Sequence, residues 1–155
     1  MKIFISHKKE DAFVANQMAV ALASLGVGCY LDVLDESVTG SGKALTEHIR
    51  GNLNQCTDII VIMSSMTRYS QWVPFEVGMA AQLDMPTATF LKEDVSLPEF
   101  LQYWPRLKKA SDIVKYVAAR NEVEQEYRGY RSLYESASYQ TAKTERFYDV
   151  LKARL

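Results

Sequence analysis

Side chains that staple or metallate small domains are scarce in this chain. Its 155 residues hold two cysteines, Cys29 and Cys56, and two histidines, His7 and His48. A disulfide scaffold is thereby excluded. Neither histidine has a Cys or His partner at ligand spacing, so no metal site is expected. An excess of charge of one sign is also lacking: 18 Lys and Arg oppose 19 Asp and Glu, for a net charge of −1. Nucleic-acid binding draws on a basic surface that this composition does not offer, so no nucleic-acid partner is expected. The pairs Lys8-Lys9 and Lys108-Lys109 read as solvated loop charge. No apolar run approaches the roughly 18 residues of a membrane span. Met1 leads straight into the strand-like Lys2–Ser6 rather than a signal peptide. These absences together lead to the expectation of a cytoplasmic protein, off the membrane, with two reduced thiols.

What is present is ordinary globular composition, 48% hydrophobic and 24% charged. A chain of this length buries enough surface to fold without a staple. Short apolar runs alternate with helical patterns. Lys2–Ser6 reads as a strand, and Asp11–Leu25 as a helix with Val14, Met18, Leu22 and Leu25 on one face and Gly26 closing it. Val27–Asp32 is a second strand. A polar loop, Val33–Gly42, leads to a helix with Leu45, Ile49, Leu53 and Cys56 on one side. Thr57–Met63 is the most hydrophobic strand and suits a central position covered on both faces. A third helix follows around Pro74, and Pro86–Leu91 is a fourth strand.

The β-α-β-α-β-α-β order predicts a parallel α/β sheet with helices on both faces. Beyond Lys92 the pattern loosens. Arg106–Lys109 reads as a brief fifth strand at the edge, and Ser111 as the cap of a helix running through Ile113, Val114 and Val117. Phe147, Val150, Leu151 and Leu155 make a last amphipathic helix. The division expected is an α/β unit over 1–110 and a helical C-terminal extension over 111–155 packed on it. Tyr116, Tyr127, Tyr130, Tyr134, Tyr139 and Tyr148 are expected to pack on the protein's own surface.

In open α/β sheets ligands bind beyond the carboxyl ends of the strands. The residues there are Ser6, His7 and Lys8 after the first strand, and Asp32, Asp35 and Glu36 around the end of the second. Ser64 and Ser65 follow the third, with Trp72 to Glu76 after them. Polar, charged and aromatic side chains thus converge on one rim. With Pro74 near the first helical position, Glu76 is expected in the first turn. Unpaired N–H groups and the helix dipole favour an ionised carboxylate there. That leaves two readings open: a group that stabilises positive charge on a substrate, or a helix-start residue and nothing more. Other motifs fail. Thr39-Gly40-Ser41-Gly42-Lys43 lacks the first glycine and final hydroxyl of a phosphate loop. No Asp ends the third strand as phosphoacceptor, and no Gly-x-Ser-x-Gly elbow exists.

Four segments in order carry a resemblance: Ile3-Phe4-Ile5-Ser6-His7 with Asp11 opening the first helix, Tyr30-Leu31-Asp32 with the loop to Gly42, Ile59–Ser64, and Trp72-Val73-Pro74-Phe75-Glu76. Over roughly residues 1–91 the chain resembles the TIR domain family, especially small stand-alone bacterial members of the Thoeris antiphage-defence type. The resemblance implies a flavodoxin-like parallel sheet of four to five strands with helices on both faces, here extended by C-terminal helices. Active members cleave NAD at the nicotinamide–ribose bond with a glutamate four residues after a tryptophan, and Glu76 and Trp72 match that spacing. By position Ser6, His7, Lys8, Asp32, Ser64 and Trp72 match the substrate pocket. NAD is then substrate rather than cofactor, no further cofactor is implied, and the product is ADP-ribose or a cyclic isomer passed to a separate effector. Self-association through the Asp32–Gly42 loop is also implied. His7-Lys8-Lys9 departs from the aromatic–arginine combination that many active members carry in the first loop.

Nicotinamide departs as a neutral amine from a cationic ring, so no general acid is needed and one carboxylate suffices. Two rivals remain. One is a non-enzymatic TIR interaction module. The other is a nucleoside deoxyribosyltransferase-like enzyme, which pairs a related fold with a glutamate and acts on nucleosides without the diphosphate.

Overall fold

A computed structural model describes residues 1–33, 42–92, 94–128 and 137–155. Among the described residues five strands and five α-helices follow in order: β1 Lys2–His7, α1 Ala12–Ser24, β2 Gly28–Val33, α2 Gly42–Leu53, β3 Asp58–Met63, α3 Trp72–Gln82, β4 Thr87–Leu91, β5 Arg106–Leu107, α4 Ala110–Tyr127 and α5 Ala137–Lys152. The strands pair in the order β2-β1-β3-β4-β5, all parallel. This is the flavodoxin-like order of a doubly wound sheet, with β5 as the short edge strand. The Asp32–Gly42 loop lies mostly outside the described residues, as do Asp35, Glu36, Tyr130 and Tyr134.

Side-chain alternation along the strands builds two cores. Ile3, Ile5, Ile60 and Ile62 point to one face. There they meet Met18 and Leu22 of α1, Tyr116 and Val123 of α4, and Phe147 and Leu151 of α5. Phe4, Ile59, Val61 and Met63 point to the other, against Ile49 and Leu53 of α2 and Val73 and Val77 of α3. All six residues of β3 are buried, as a strand covered on both faces requires. On α1 the buried positions are Ala15, Met18 and Leu22, and Gly26 takes the left-handed φ of 72° that lets the chain leave the helix.

The C-terminal helices share the first core and are pinned by polar contacts as well. Asp58, wholly buried at the start of β3, accepts from Arg120 Nε at 2.5 Å, from the Tyr116 hydroxyl at 2.9 Å and from Thr57 Oγ1 at 2.5 Å. The Tyr148 hydroxyl accepts the Thr87 backbone N–H at 3.0 Å, joining α5 to β4. Tyr127 and Tyr139 stack edge to face with ring centres 5.5 Å apart. These four tyrosines pack on the protein itself, as the sequence suggested.

Most boundaries shift by a residue or two from the sequence expectation, and two in the C-terminal helices have a clear physical cause. Helix α4 begins at Ala110 instead of after a Ser111 cap. The Asp112 carboxylate accepts the backbone N–H groups of Lys108 and Lys109, each at 3.0 Å, and so draws the helix start towards the N-terminus. Leu155 lies beyond the end of α5 and is exposed, so the buried face of that helix is Phe147, Tyr148, Val150 and Leu151.

Candidate functional site

Between β1 and β3 the connections diverge. The chain leaves β1 for α1 on one face of the sheet and leaves β3 for α3 on the other. A crevice opens at the carboxyl ends of strands at such a point. Ser6 stands beside Asp32 in the β1–β2 register and shares the α2–α3 face with Phe4. Helix α3 buries Val73, Glu76, Val77 and Ala80, a three-four spacing that aims Glu76 at the sheet. The Ser6 hydroxyl donates to Glu76 Oε2, and Glu76 is 0% exposed.

Asp32 completes the cluster from β2. Ser6, its register partner, links it to Glu76, and its carboxyl acts electrostatically on the Glu76 carboxyl. Its Oδ1 is 3.7 Å from His48 Nε2 on α2, and that nitrogen is 3.1 Å from the Tyr30 hydroxyl. Three buried polar atoms at this site have no hydrogen-bond partner among the described residues: His7 Nε2, Asp32 Oδ2 and Glu76 Oε1. Unpartnered buried atoms are rare enough in native folds that each needs a physical reason.

The expectation of Glu76 in the first turn is overturned. Helix α3 begins at Trp72, so Pro74 is its third residue and Glu76 its fifth. A proline is tolerated anywhere among the first N–H groups, which have no acceptor in the helix, so Pro74 did not mark the first position. Burial pushes the Glu76 carboxyl well above the usual glutamate range. The adjacent Asp32 carboxyl pushes it further, and the Ser6 hydroxyl only partly offsets them.

The remaining candidate residues divide. His7 is buried with Nδ1 3.1 Å from the Ile5 carbonyl, and desolvation lowers its pKa despite the pull of Asp32 and Asp11, so the ring is neutral. Lys8 is half-buried, and its carbonyl accepts the Asp11 N–H at 2.9 Å. Trp72 is half-buried on the second core and meets Phe75 edge to face at 6.1 Å. Ser64 turns to a different partner. Its hydroxyl donates to Asp11 Oδ2 at 2.6 Å, where Thr67 Oγ1 also donates at 2.6 Å, while Lys92 Nζ holds Asp11 Oδ1 at 2.8 Å. Burial alone would raise the Asp11 carboxyl, yet the Lys92 ammonium and the two hydroxyls hold it below the usual range. This second cluster clamps the exits of β1, β3 and β4 together at the crevice.

Sequence reasoning thus names Ser6, Asp32 and Glu76 but misses Tyr30, His48, Thr67 and Lys92. Tyr30 was findable, because it lies two residues before Asp32 on the same strand face. His48 and Lys92 carry no local signal, since each reaches the site from a separate element. Among the described residues no group of His, Cys, Asp and Glu is arranged to hold a metal ion. Cys29 and Cys56 are free thiols, pushed upward by burial. No helix among the described residues is long and apolar enough to cross a membrane.

A protein-family model described as TIR domain matches residues 3–133 of the chain. The match runs past the four motifs of residues 1–91, through β5 and α4. No curated protein matches the chain.

Proposed function

The chain belongs to the TIR domain family, and on that premise we propose that it cleaves NAD at the nicotinamide–ribose bond with Glu76 as the catalytic residue. The observation that carries this reading is the convergence of Glu76, Ser6 and Asp32 at the carboxyl edge of the sheet, where the strand order reverses. The family includes NAD-cleaving enzymes, and the tryptophan-to-glutamate spacing of Trp72 and Glu76 is theirs. On α3 these two residues are about one turn apart.

The chemistry asks little of the protein. As the C–N bond breaks, its electron pair goes to the pyridinium nitrogen, nicotinamide leaves neutral, and positive charge develops on the ribose. An ionised Glu76 stabilises that charge. Attack by water gives ADP-ribose; attack by a nitrogen of the adenine gives a cyclic isomer. Either product serves as a signal to a separate effector.

Glu76 has no exposed surface in the chain described, so turnover requires the site to open. TIR domains commonly self-associate, and assembly of the chain on itself supplies that opening. The same sealed carboxyl favours a second reading, a non-enzymatic TIR interaction module in which Glu76 is structural.

The test is incubation of the self-associated protein with NAD and identification of the products by mass. Nicotinamide with ADP-ribose or its cyclic isomer is the expected result. Intact NAD in the presence of assembled protein would leave the interaction module as the function.

A further inference from the structure

We infer that Glu76 and Asp32 hold one proton between them in the resting protein, Glu76 Oε1 donating to Asp32 Oδ2, so that the two carboxyl groups carry a single negative charge. The pairing is a property of the chain itself. Only its catalytic consequence rests on the function proposed above.

The two oxygens are the unpartnered carboxyl atoms of the site. Ser6 brings the two groups together, pairing in register with Asp32 and donating to Glu76, yet two carboxylates side by side cannot bond: each only accepts. A proton between them satisfies both atoms at once and removes the like-charge contact.

The neighbouring groups on each packed element do not supply that proton. From β1, Ser6 donates to the other Glu76 oxygen, Oε2. His7 directs Nδ1 to the Ile5 carbonyl, which leaves Nε2 of the neutral ring bare. From β2 comes Tyr30, whose hydroxyl is 3.1 Å from His48 Nε2, and from α2 that His48 nitrogen faces Asp32 Oδ1. Among the described residues Asp32 Oδ2 remains without a donor after all of these are counted. Burial and the second carboxyl both favour a protonated Glu76.

Asp32 is then a positioning residue that acts through Glu76. In the resting state it keeps the catalytic carboxyl protonated and oriented. When the cationic nicotinamide riboside moiety enters, its positive charge favours the doubly ionised pair. The Glu76 O–H bond breaks, the proton passes to water, and Glu76 faces the ribose as a carboxylate. Binding of NAD therefore releases a proton.

The test is carbon-13 NMR of protein labelled at the glutamate side-chain carboxyl, with the Glu76 signal assigned by its loss in Glu76→Gln. In the wild type the signal is that of a protonated carboxyl in neutral buffer. In Asp32→Asn, which keeps the shape but removes the second charge, Glu76 binds its proton about tenfold or more weakly. A Glu76 already ionised in the neutral wild type would overturn the pairing, and that measurement needs no variant at Asp32. An unchanged Glu76 titration in folded Asp32→Asn would overturn it as well. The same substitution moves the acid limb of nicotinamide release to lower pH, which a purely structural Asp32 would not do. A shared proton with no NAD turnover would retain the pair and defeat only the enzymatic reading.

Discussion

Replacing Ser6 by alanine removes the hydroxyl that donates to Glu76 Oε2. A hydrogen bond to the ionised form lowers a carboxyl pKa, so its loss raises it. Ser6→Ala is therefore expected to raise the Glu76 midpoint, opposite to Asp32→Asn, and to move the acid limb of the pH–rate profile to higher pH. A profile that moves to lower pH, or not at all, would contradict the assigned bond. At this scale Ser6, Asp32 and Glu76 were legible, because each sits where a strand end or helix start declares itself in the pattern, while His48 and Lys92, which arrive from separate elements, were not. The protonation state was not. It depends on Asp32 approaching from another strand and on a helix that starts two residues before Pro74, and neither is encoded near Glu76.

Helix α4 is held to the sheet by a buried ion pair between Asp58 and Arg120, with the Tyr116 hydroxyl as a further donor. Truncating Arg120 to alanine strands the Asp58 charge in the core and is expected to cost about 3–5 kcal/mol. Urea unfolding reads this as a lower midpoint at unchanged slope. The double change Asp58→Asn with Arg120→Met removes both charges and is expected to recover most of the loss. A fully additive double variant would mean that the two side chains do not interact. The strands and first three helices were legible because their apolar residues keep a period of two or of three to four. The pin was not: Asp58 opens the most hydrophobic strand of the chain, and its partner lies 62 residues away. The α4 start was misread for a related reason, since the Asp112 carboxylate, rather than Ser111, satisfies the N–H groups there.

For the whole molecule, the two buried clusters make stability depend on pH in opposite ways. Asp11 is held below the usual carboxyl range, so its contribution is present above that range and is lost as pH falls through its lowered value. Glu76 is raised, so the folded chain binds its proton more tightly than the unfolded chain does. That contribution is full below the usual glutamate range and is lost as pH rises through the raised value. Glu76→Gln carries no such proton and is expected to flatten the decline on the alkaline side while leaving the acid side unchanged. Unfolding midpoints across a pH series check this; an unaltered alkaline decline would contradict it. The parallel α/β sheet follows from β-α alternation and was legible at this scale, whereas the flavodoxin-like strand order came only with the family resemblance. The joining of α4 and α5 to the first core was only suggested, because it is settled by side chains from distant segments that meet on one face of the sheet.

The enzymatic account stands or falls on nicotinamide release from NAD by the self-associated wild type, run beside self-associated Glu76→Gln. The account predicts release by the wild type and a rate reduced about 100-fold or more in the variant, the scale on which a key electrostatic group at a reacting centre contributes. Equal rates in the two proteins, or no release from an assembled wild type, would contradict it.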